Sequence, residues 1–275
     1  MKDVVLLTGA GQIGMAIARR IGHGKKIIIG DKNLKNAKTI SKTITEAGFD
    51  VDYGECDISK RESVKKLIKK AREYGEIAYF INAAGVSPSQ APVDVILKVD
   101  LYGTAVLLEE VGKVIKEGGS GVIISSQSGH RMEQLGAAID EQLATTPTEE
   151  LLNLDVLKEE NIKDTLHAYQ LAKRCNVKRV MYEACRWAER KARINSISPG
   201  IIVTPLAIDE FNGPRGEFYR NMFANCPSGR PGTADEVAGV AGLLMSDEGA
   251  FITGSDILID GGATASYFYG KLKPE

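Results

Sequence analysis

Apolar residues recur along this chain in two rhythms that alternate from end to end. Short runs at residues 4–8, 26–30, 51–56, 77–81, 121–125, 193–197 and 256–259 predict strands. Several are apolar at almost every position, as expected where helices cover both faces of a sheet. Between them the apolar positions fall three and four apart. Val64, Leu67, Ile68 and Ala71 make one such stripe, Val237, Val240, Ala241 and Leu244 another, and Ile13, Ile17 and Ile21 a third. Each is the mark of an amphipathic helix. The strand–helix–strand repetition predicts an α/β fold: one doubly wound parallel sheet of about seven strands with helices on both faces. No repeat or low-complexity linker divides the sequence, so residues 1–275 are expected to form a single domain.

One stretch breaks the alternation. Residues 131–166 are polar and acidic, and the stretch is too long for an ordinary connection. Within it Thr146-Pro-Thr-Glu-Glu150 has the pattern of a helix start, and Leu151, Leu152, Leu154, Val156 and Leu157 follow. A helical insertion is the expectation, with a solvated surface excursion as the alternative.

The 275 residues are 43% hydrophobic with a net charge of −1. That supplies a full core and implies no general attraction to nucleic acid or an acidic membrane. Met1 runs directly into the first strand without a signal-peptide pattern, and no apolar run approaches the roughly 20 residues of a membrane span. A cytoplasmic protein is expected. Cys56, Cys175, Cys185 and Cys226 lack paired spacing and read as buried thiols in a reducing compartment. His23, His130 and His167 lack ligand-like spacing, so no metal is expected. His130 is expected at the solvent-exposed surface, with pocket lining as its alternative.

Two motifs carry chemistry. Thr8-Gly9-Ala-Gly11-Gln-Ile-Gly14 follows the first strand and opens a helix. Glycines so spaced permit a tight turn and close approach of a pyrophosphate to the helix's positive end. Asp31 ends the second strand about 20 residues on, where a carboxylate accepts hydrogen bonds from a ribose and repels a 2′-phosphate. That favours NAD; the adjacent Lys32 leaves NADP open. Tyr169-Gln-Leu-Ala-Lys173 places a phenol and an ammonium one helical turn apart on one face. A cation there favours proton exchange at the phenol, as reduction of a carbonyl requires.

With these motifs in this order, the chain resembles the short-chain dehydrogenase/reductase family over nearly its whole length. Cys56-Asp57-Ile58 resembles the family's adenine-contacting segment and Asn82-Ala-Ala-Gly85 its Asn-Asn-Ala-Gly turn. Ser125-Ser126-Gln-Ser-Gly129 resembles the strand end bearing the catalytic serine, which falls on Ser126. Asn195-Ser-Ile-Ser-Pro199-Gly200 with Thr204 resembles the nicotinamide turn. Gly229-Arg230-Pro-Gly and Asp260-Gly261-Gly262 resemble the C-terminal signatures of the single-domain branch. The resemblance implies a Rossmann-type sheet binding NAD(P) through Gly9, Gly11, Gln12, Ile13, Gly14, Asp31, Asp57, Ile58, Asn82, Ala83, Ala84, Gly85, Tyr169, Lys173, Pro199, Gly200, Ile202 and Thr204. It also implies hydride transfer between the nicotinamide and a secondary alcohol or ketone. Tyr169 would exchange the proton, Ser126 orient the substrate oxygen, and Lys173 support both tyrosine and ribose.

Two departures stand out. The family's catalytic asparagine is replaced by aspartate in Val99-Asp100-Leu-Tyr-Gly103, and the stretch from Ser126 to Tyr169 is lengthened. Asp100 keeps the backbone carbonyl through which that position supports a water chain to the lysine, while its charge bears on Lys173. The lengthening is similar to that of bacterial 3α-hydroxysteroid dehydrogenase/carbonyl reductases. Residues 201–231, rich in apolar and aromatic side chains, read as a substrate lid or as helix packing. A bulky ketone or hydroxysteroid suits such a lid, and a polyol or 3-oxoacyl thioester stays open. A nucleotide-sugar epimerase or dehydratase is a second reading, against which stands the short chain after Tyr169. A non-catalytic dinucleotide sensor is a third, against which stand Ser126, Tyr169 and Lys173. The family's tyrosine helix often packs on a partner subunit. The insertion would crowd that face, and Tyr267-Phe-Tyr269 offers another contact, so a homodimer through the C-terminal strand and tail is expected.

Overall fold

The computed structural model describes residues 2–213 and 216–274. β1 (Val4–Thr8) is buried at every position, so it must be a central strand. Its neighbours are β2 (Lys26–Asp31) on one side and β4 (Ile77–Asn82) on the other, both parallel to it. With β3 (Asp50–Glu55), β5 (Ser120–Ile124), β6 (Arg193–Pro199) and β7 (Asp256–Ile259), the described residues form a seven-stranded sheet in the order β3-β2-β1-β4-β5-β6-β7. The expected doubly wound α/β sheet is present. Its winding reverses between β1 and β4, which opens a crevice at the carboxyl ends of those strands. Strand ends move by one or two residues from expectation. The move that matters is β5, which stops at Ile124 and leaves Ser125 and Ser126 beyond the sheet.

Alternate side chains of each strand enter opposite cores. Leu6, Ile28, Phe80 and Ile123 face α3 (Arg61–Tyr74), α5 (Thr104–Gly112) and α7 (Thr165–Trp187). Leu7, Ile29, Ile81 and Val122 face α1 (Gln12–Ile21), α2 (Leu34–Glu46) and α10 (Ala234–Met245). The expected α3 stripe of Val64, Leu67, Ile68 and Ala71 is buried throughout, each of the three larger residues contributing about 1.5–3 kcal/mol. Trp187 fills the floor of the first core and donates its indole N–H to the Leu108 carbonyl at 3.1 Å. α4 (Val93–Ile96) runs into a π-helical stretch, Leu97–Gly103, and then into α5, so one bulged helix carries Asp100.

Between β5 and α7 lies the insertion, and its helix is not where the sequence suggests. α6 (Ala137–Thr145) precedes Thr146, which caps its C-terminus; the leucine-rich stretch after it makes only short 3-10 turns. Pro147 has no N–H to continue α6, so Thr146 and Pro147 end that helix, and the start pattern opens a six-residue 3-10 helix, Thr148–Asn153, in place of an α-helix. The segment is no solvated excursion. Met132, Leu143, Leu151 and Leu157 share a third core with Ile96, Leu101, Ala168 and Leu171. Glu149 reaches Arg61 Nε at 2.7 Å and accepts from Tyr102 Oη at 3.1 Å. α8 (Pro205–Asn212), α9 (Gly216–Asn225) and α11 (Ala263–Tyr269) complete the C-terminal part. Cys56, Cys175 and Cys226 are buried as expected, but Cys185 is exposed. Among the described residues no helix is long and apolar enough to cross a membrane.

Candidate active site

The turn between β1 and α1 is shaped by contact with the turn after β4. Gly9 has φ +86°, and a Cβ there would lie 2.4 Å from the Ala84 nitrogen. Only glycine meets both conditions. Gly14 lets α1 close on β1, since its Cβ would lie 2.8 Å from the Leu7 side chain. Gly11 differs: a Cβ there would meet nothing within 4 Å. It caps α1 without any side-chain hydrogen bond, and no acidic residue stands in the first turn. The N–H groups of Gln12, Ile13 and Gly14 thus open at the positive end of a helix onto free space, which fits a dinucleotide pyrophosphate.

Asp31 sits beside this turn. Its Oδ2 accepts from Ala10 N at 2.8 Å and Asn36 Nδ2 at 3.2 Å, and its Oδ1 from Asn33 N at 2.7 Å. Asn36 also donates to the Ala10 carbonyl at 3.0 Å, clamping the carboxylate to the glycine turn. Sequence reading missed Asn36, whose one signal was its place in the first turn of the helix after Asp31. Lys32 is engaged with Asp57 at 3.6 Å. Burial alone would raise the Asp57 carboxyl, but the Ser59 hydroxyl and N–H, with Lys32 and Lys60, hold it below the usual carboxylate range. Ile58 is buried against Gly103. The Asn82 side chain is also buried. It accepts from Thr8 Oγ1 at 2.9 Å and donates to Thr104 Oγ1 at 3.2 Å, so it fixes the Ala83–Ala84–Gly85 turn from inside.

On the other side of the crevice α7 carries Tyr169 and Lys173. Asp164 starts the helix by accepting from His167 N at 2.7 Å. Ser125 Oγ donates to the Lys173 carbonyl at 2.8 Å, and Gly129 is pressed against the backbone of Lys173 and Arg174. The Ser126 turn is thereby packed on the helix at the lysine. Ser126 Oγ accepts from Ser128 N at 3.1 Å, which leaves its O–H a donor for a substrate oxygen. Lys173 Nζ lies 5.2 Å from the Tyr169 ring centroid and donates to the Ile124 carbonyl at 3.4 Å. Burial pulls the Lys173 ammonium down, yet the charges of Tyr169 and Asp100 outweigh it and hold the lysine above its ordinary range. Asp100 is fully buried behind this pair. Burial pushes its carboxyl up to about 6 against the opposing pull of Lys173 and the Val86 N–H.

Gly200 donates its N–H to the Ile259 carbonyl at 2.8 Å and packs on Asp260, which sets the turn after Pro199. Ile202 bridges to Gly232, and Thr204 Oγ1 accepts from Ala207 N at 3.2 Å, capping the start of α8. Within the expected lid at 201–231, Pro214 and Arg215 lie outside the described residues. Phe211 stacks edge-on with both Tyr219 and Phe223, at 5.3 Å each, so the aromatics tie α8 to α9. Next to Phe223 a cavity of about 160 Å³ is lined by Gly200, Ile202, Met222, Phe223, Asp260 and Ala263, and not by Ser126, Tyr169 or Lys173. Arg131, also missed from sequence, reaches this wall. It donates to Gln127 Oε1 at 2.6 Å and Thr264 Oγ1 at 3.3 Å, and lies 5.6 Å over the Tyr267 ring. Burial holds its guanidinium below the ordinary arginine range, partly offset by Asp260. His130 is not free at the surface: its Nε2 lies 2.7 Å from Asp256 Oδ2, which also takes the Ser198 hydroxyl. Among the described residues no cluster could hold a metal ion.

A bare-backbone cradle at the switch point, with a serine, tyrosine and lysine on the other side of the crevice, is the arrangement a dinucleotide-dependent oxidoreductase needs. Comparison with known proteins agrees. Residues 3–139 match the short chain dehydrogenase family model, and residues 137–264 the one described as Enoyl-(Acyl carrier protein) reductase. The chain is 38% identical over 265 residues to the short-chain dehydrogenase/reductase bsc3 of Alternaria brassicicola, covering 96% of each. It is 30% identical to a D-threitol dehydrogenase of Mycolicibacterium smegmatis, covering 95% of this chain and 92% of that one. The crystal structure of a levodione reductase superposes with a TM-score of 0.78 at 25% identity, covering 96% of this chain and 98% of that one. The chain belongs to the short-chain dehydrogenase/reductase family. It is an NAD(P)-dependent oxidoreductase of the alcohol dehydrogenase/carbonyl reductase kind.

Proposed function

We propose that the protein prefers NAD and interconverts a medium-sized secondary alcohol and its ketone, one that carries a second oxygen group. The nicotinamide would supply or accept the hydride. Tyr169 passes the proton to or from the substrate oxygen, Ser126 donates a hydrogen bond to that oxygen, and Lys173 stabilises the tyrosine's charged form. The observation that carries this reading is the buried Lys173 ammonium beside Tyr169, on a helix fastened to the Ser126 turn. NAD preference rests on Asp31, clamped against the glycine turn, and on Lys32 being paired with Asp57.

The substrate reading rests on two walls. The Phe211, Tyr219 and Phe223 cluster offers an apolar face, and Arg131, which among the described residues donates to Gln127 and Thr264 but to no carboxylate, offers a donor to a further oxygen. The names D-threitol dehydrogenase and levodione reductase among the relatives favour an oxygen-rich substrate over a hydroxysteroid, which the aromatic lid alone would also accept. A homodimer through β7 and its surroundings is part of the proposal, with the insertion covering the first half of α7. An absorbance screen of NADH and NADPH against polyols, ketoses, cyclic ketones and sterols tests the function. Turnover of cyclic ketones or ketoses with NADH is expected. A preference for NADPH, or turnover of sterols alone, would overturn the corresponding part.

A further inference from the structure

The π-helical stretch Leu97–Gly103 turns Asp100 into the protein, where it is 0% exposed. One oxygen, Oδ1, accepts the Val86 N–H at 2.9 Å; the other, Oδ2, is buried and has no hydrogen-bond partner among the described residues. A buried charged oxygen left unpaired is costly, so it needs an explanation. Lys173 Nζ has the complementary shortage: three donors and, among the described residues, one protein acceptor, the Ile124 carbonyl at 3.4 Å. A Cβ on Gly85 would lie 2.7 Å from Asp100 Oδ1 and 3.5 Å from Lys173 Nζ. Asp100 and Lys173 therefore both approach the bare Cα of a glycine and act on one another through charge, with no direct hydrogen bond between them among the described residues.

We propose that the Asp100 side chain is a titratable positioning residue for Lys173: ionised, it anchors the ammonium beside Gly85 through charge, and protonated, it releases it. An asparagine in this place would offer an oxygen but no charge. The groups that bear on Asp100 are Lys173 from α7 and the Val86 N–H from the turn after β4. Tyr169 bears in turn on Lys173. Because burial pushes the carboxyl up to about 6, the anchor is present above that pH and lost as pH falls through it. The inference rests on the reading that Lys173 serves Tyr169, but the charge coupling can be measured without any substrate.

The experiment is an infrared pH titration of the full chain, following the C=O band of a protonated carboxyl. A band that disappears near pH 6 is expected in the unaltered protein and should be absent from Asp100→Asn. In Lys173→Met its midpoint should rise by about 1 to 3 pH units, since the opposite charge has been removed. A carboxyl titrating near pH 4, or a midpoint indifferent to Lys173→Met, would overturn the coupling. With a substrate in hand, kcat should lose its acidic limb near pH 6 in Asp100→Asn while the KM for substrate changes little. An unchanged acidic limb would also overturn the proposal. If the infrared titration behaves as expected but no alcohol or ketone is turned over, the coupling stands and the assigned function fails.

Discussion

Tyr169 and Lys173 show what a residue pattern can and cannot convey. Their spacing puts phenol and ammonium on one helical face, and the glycines of the first turn mark a candidate pyrophosphate site by position. Asn36 and Arg131 were invisible because each works through partners remote in sequence: Asn36 through Ala10, Arg131 through Met222 and Thr264. Tyr169→Phe removes one hydroxyl, so binding of NADH, followed by fluorescence, should survive while turnover falls by about 10²-fold or more. Asn36→Ala removes one of three donors holding Asp31. A hydrogen bond to a charged group contributes about 1.5–3 kcal/mol when buried, and less at this partly exposed site. Weakening of NADH by about 3- to 10-fold in calorimetry is expected, with NADPH affected less; equal losses would make Asn36 merely structural. Asp100 predicts a stability effect of opposite sign to most mutations. Its raised pKa means the ionised form disfavours the folded state above about pH 6, and that cost fades as pH falls towards the ordinary value of 3.8. Asp100→Asn should therefore stabilise the protein at pH 8, by an amount on the order of 2 kcal/mol, and by little at pH 4. Urea midpoints at the two pH values measure it, and functional residues that strain the fold commonly behave so.

At the scale of elements, strands and the helices that pack on both cores were readable because each obeys one period. The insertion obeys none. α6 (fully within the described residues) buries one side chain, Leu143, and its end is dictated by Pro147, which in sequence looks like the second residue of a new helix. What fixes the insertion is charge and packing across to α7. Asp140 accepts from Arg174 Nε and Nη2 at 2.7 Å each and meets Lys178 at 3.2 Å, while Arg179 donates to the Thr146 carbonyl at 2.8 Å. Burial would raise the Asp140 carboxyl, but Arg174 and Lys178 hold it below 3.8. A depressed carboxylate stabilises the fold above its unfolded pKa and loses that contribution as pH falls through the folded one. Asp140→Ala should thus destabilise by about 1.5–3 kcal/mol at pH 7 and by little near pH 2. Protease cleavage within residues 133–162 should quicken in parallel. Unchanged cleavage would mean that the leucines alone hold the insertion.

At the scale of the molecule, the sheet is open at both ends, and its β7 edge is the one that carries exposed apolar side chains. β7 is the last strand, Leu258 on it is exposed, and Phe251 just before it is fully exposed. Gly254 brings that loop against α7 at Met181, another exposed apolar side chain, so the apolar surface runs from the sheet edge onto the helix. The insertion covers α7 from Ala168 to Arg179 and stops short of this patch. An apolar strip along an open strand edge is unfavourable in water and invites a second copy. In the tail, the other contact suggested by sequence, Phe268 and Tyr269 are exposed while Tyr267 lies under Arg131. Cutting the chain after Gly262 would disturb the active site together with any interface, which makes point substitutions the cleaner test. Phe251→Glu combined with Leu258→Lys alters only exposed side chains, so the fold and the binding of NADH should persist. Light scattering should then register a dimer for the unaltered protein and a monomer for the double variant. A dimer indifferent to both substitutions would place the contact elsewhere.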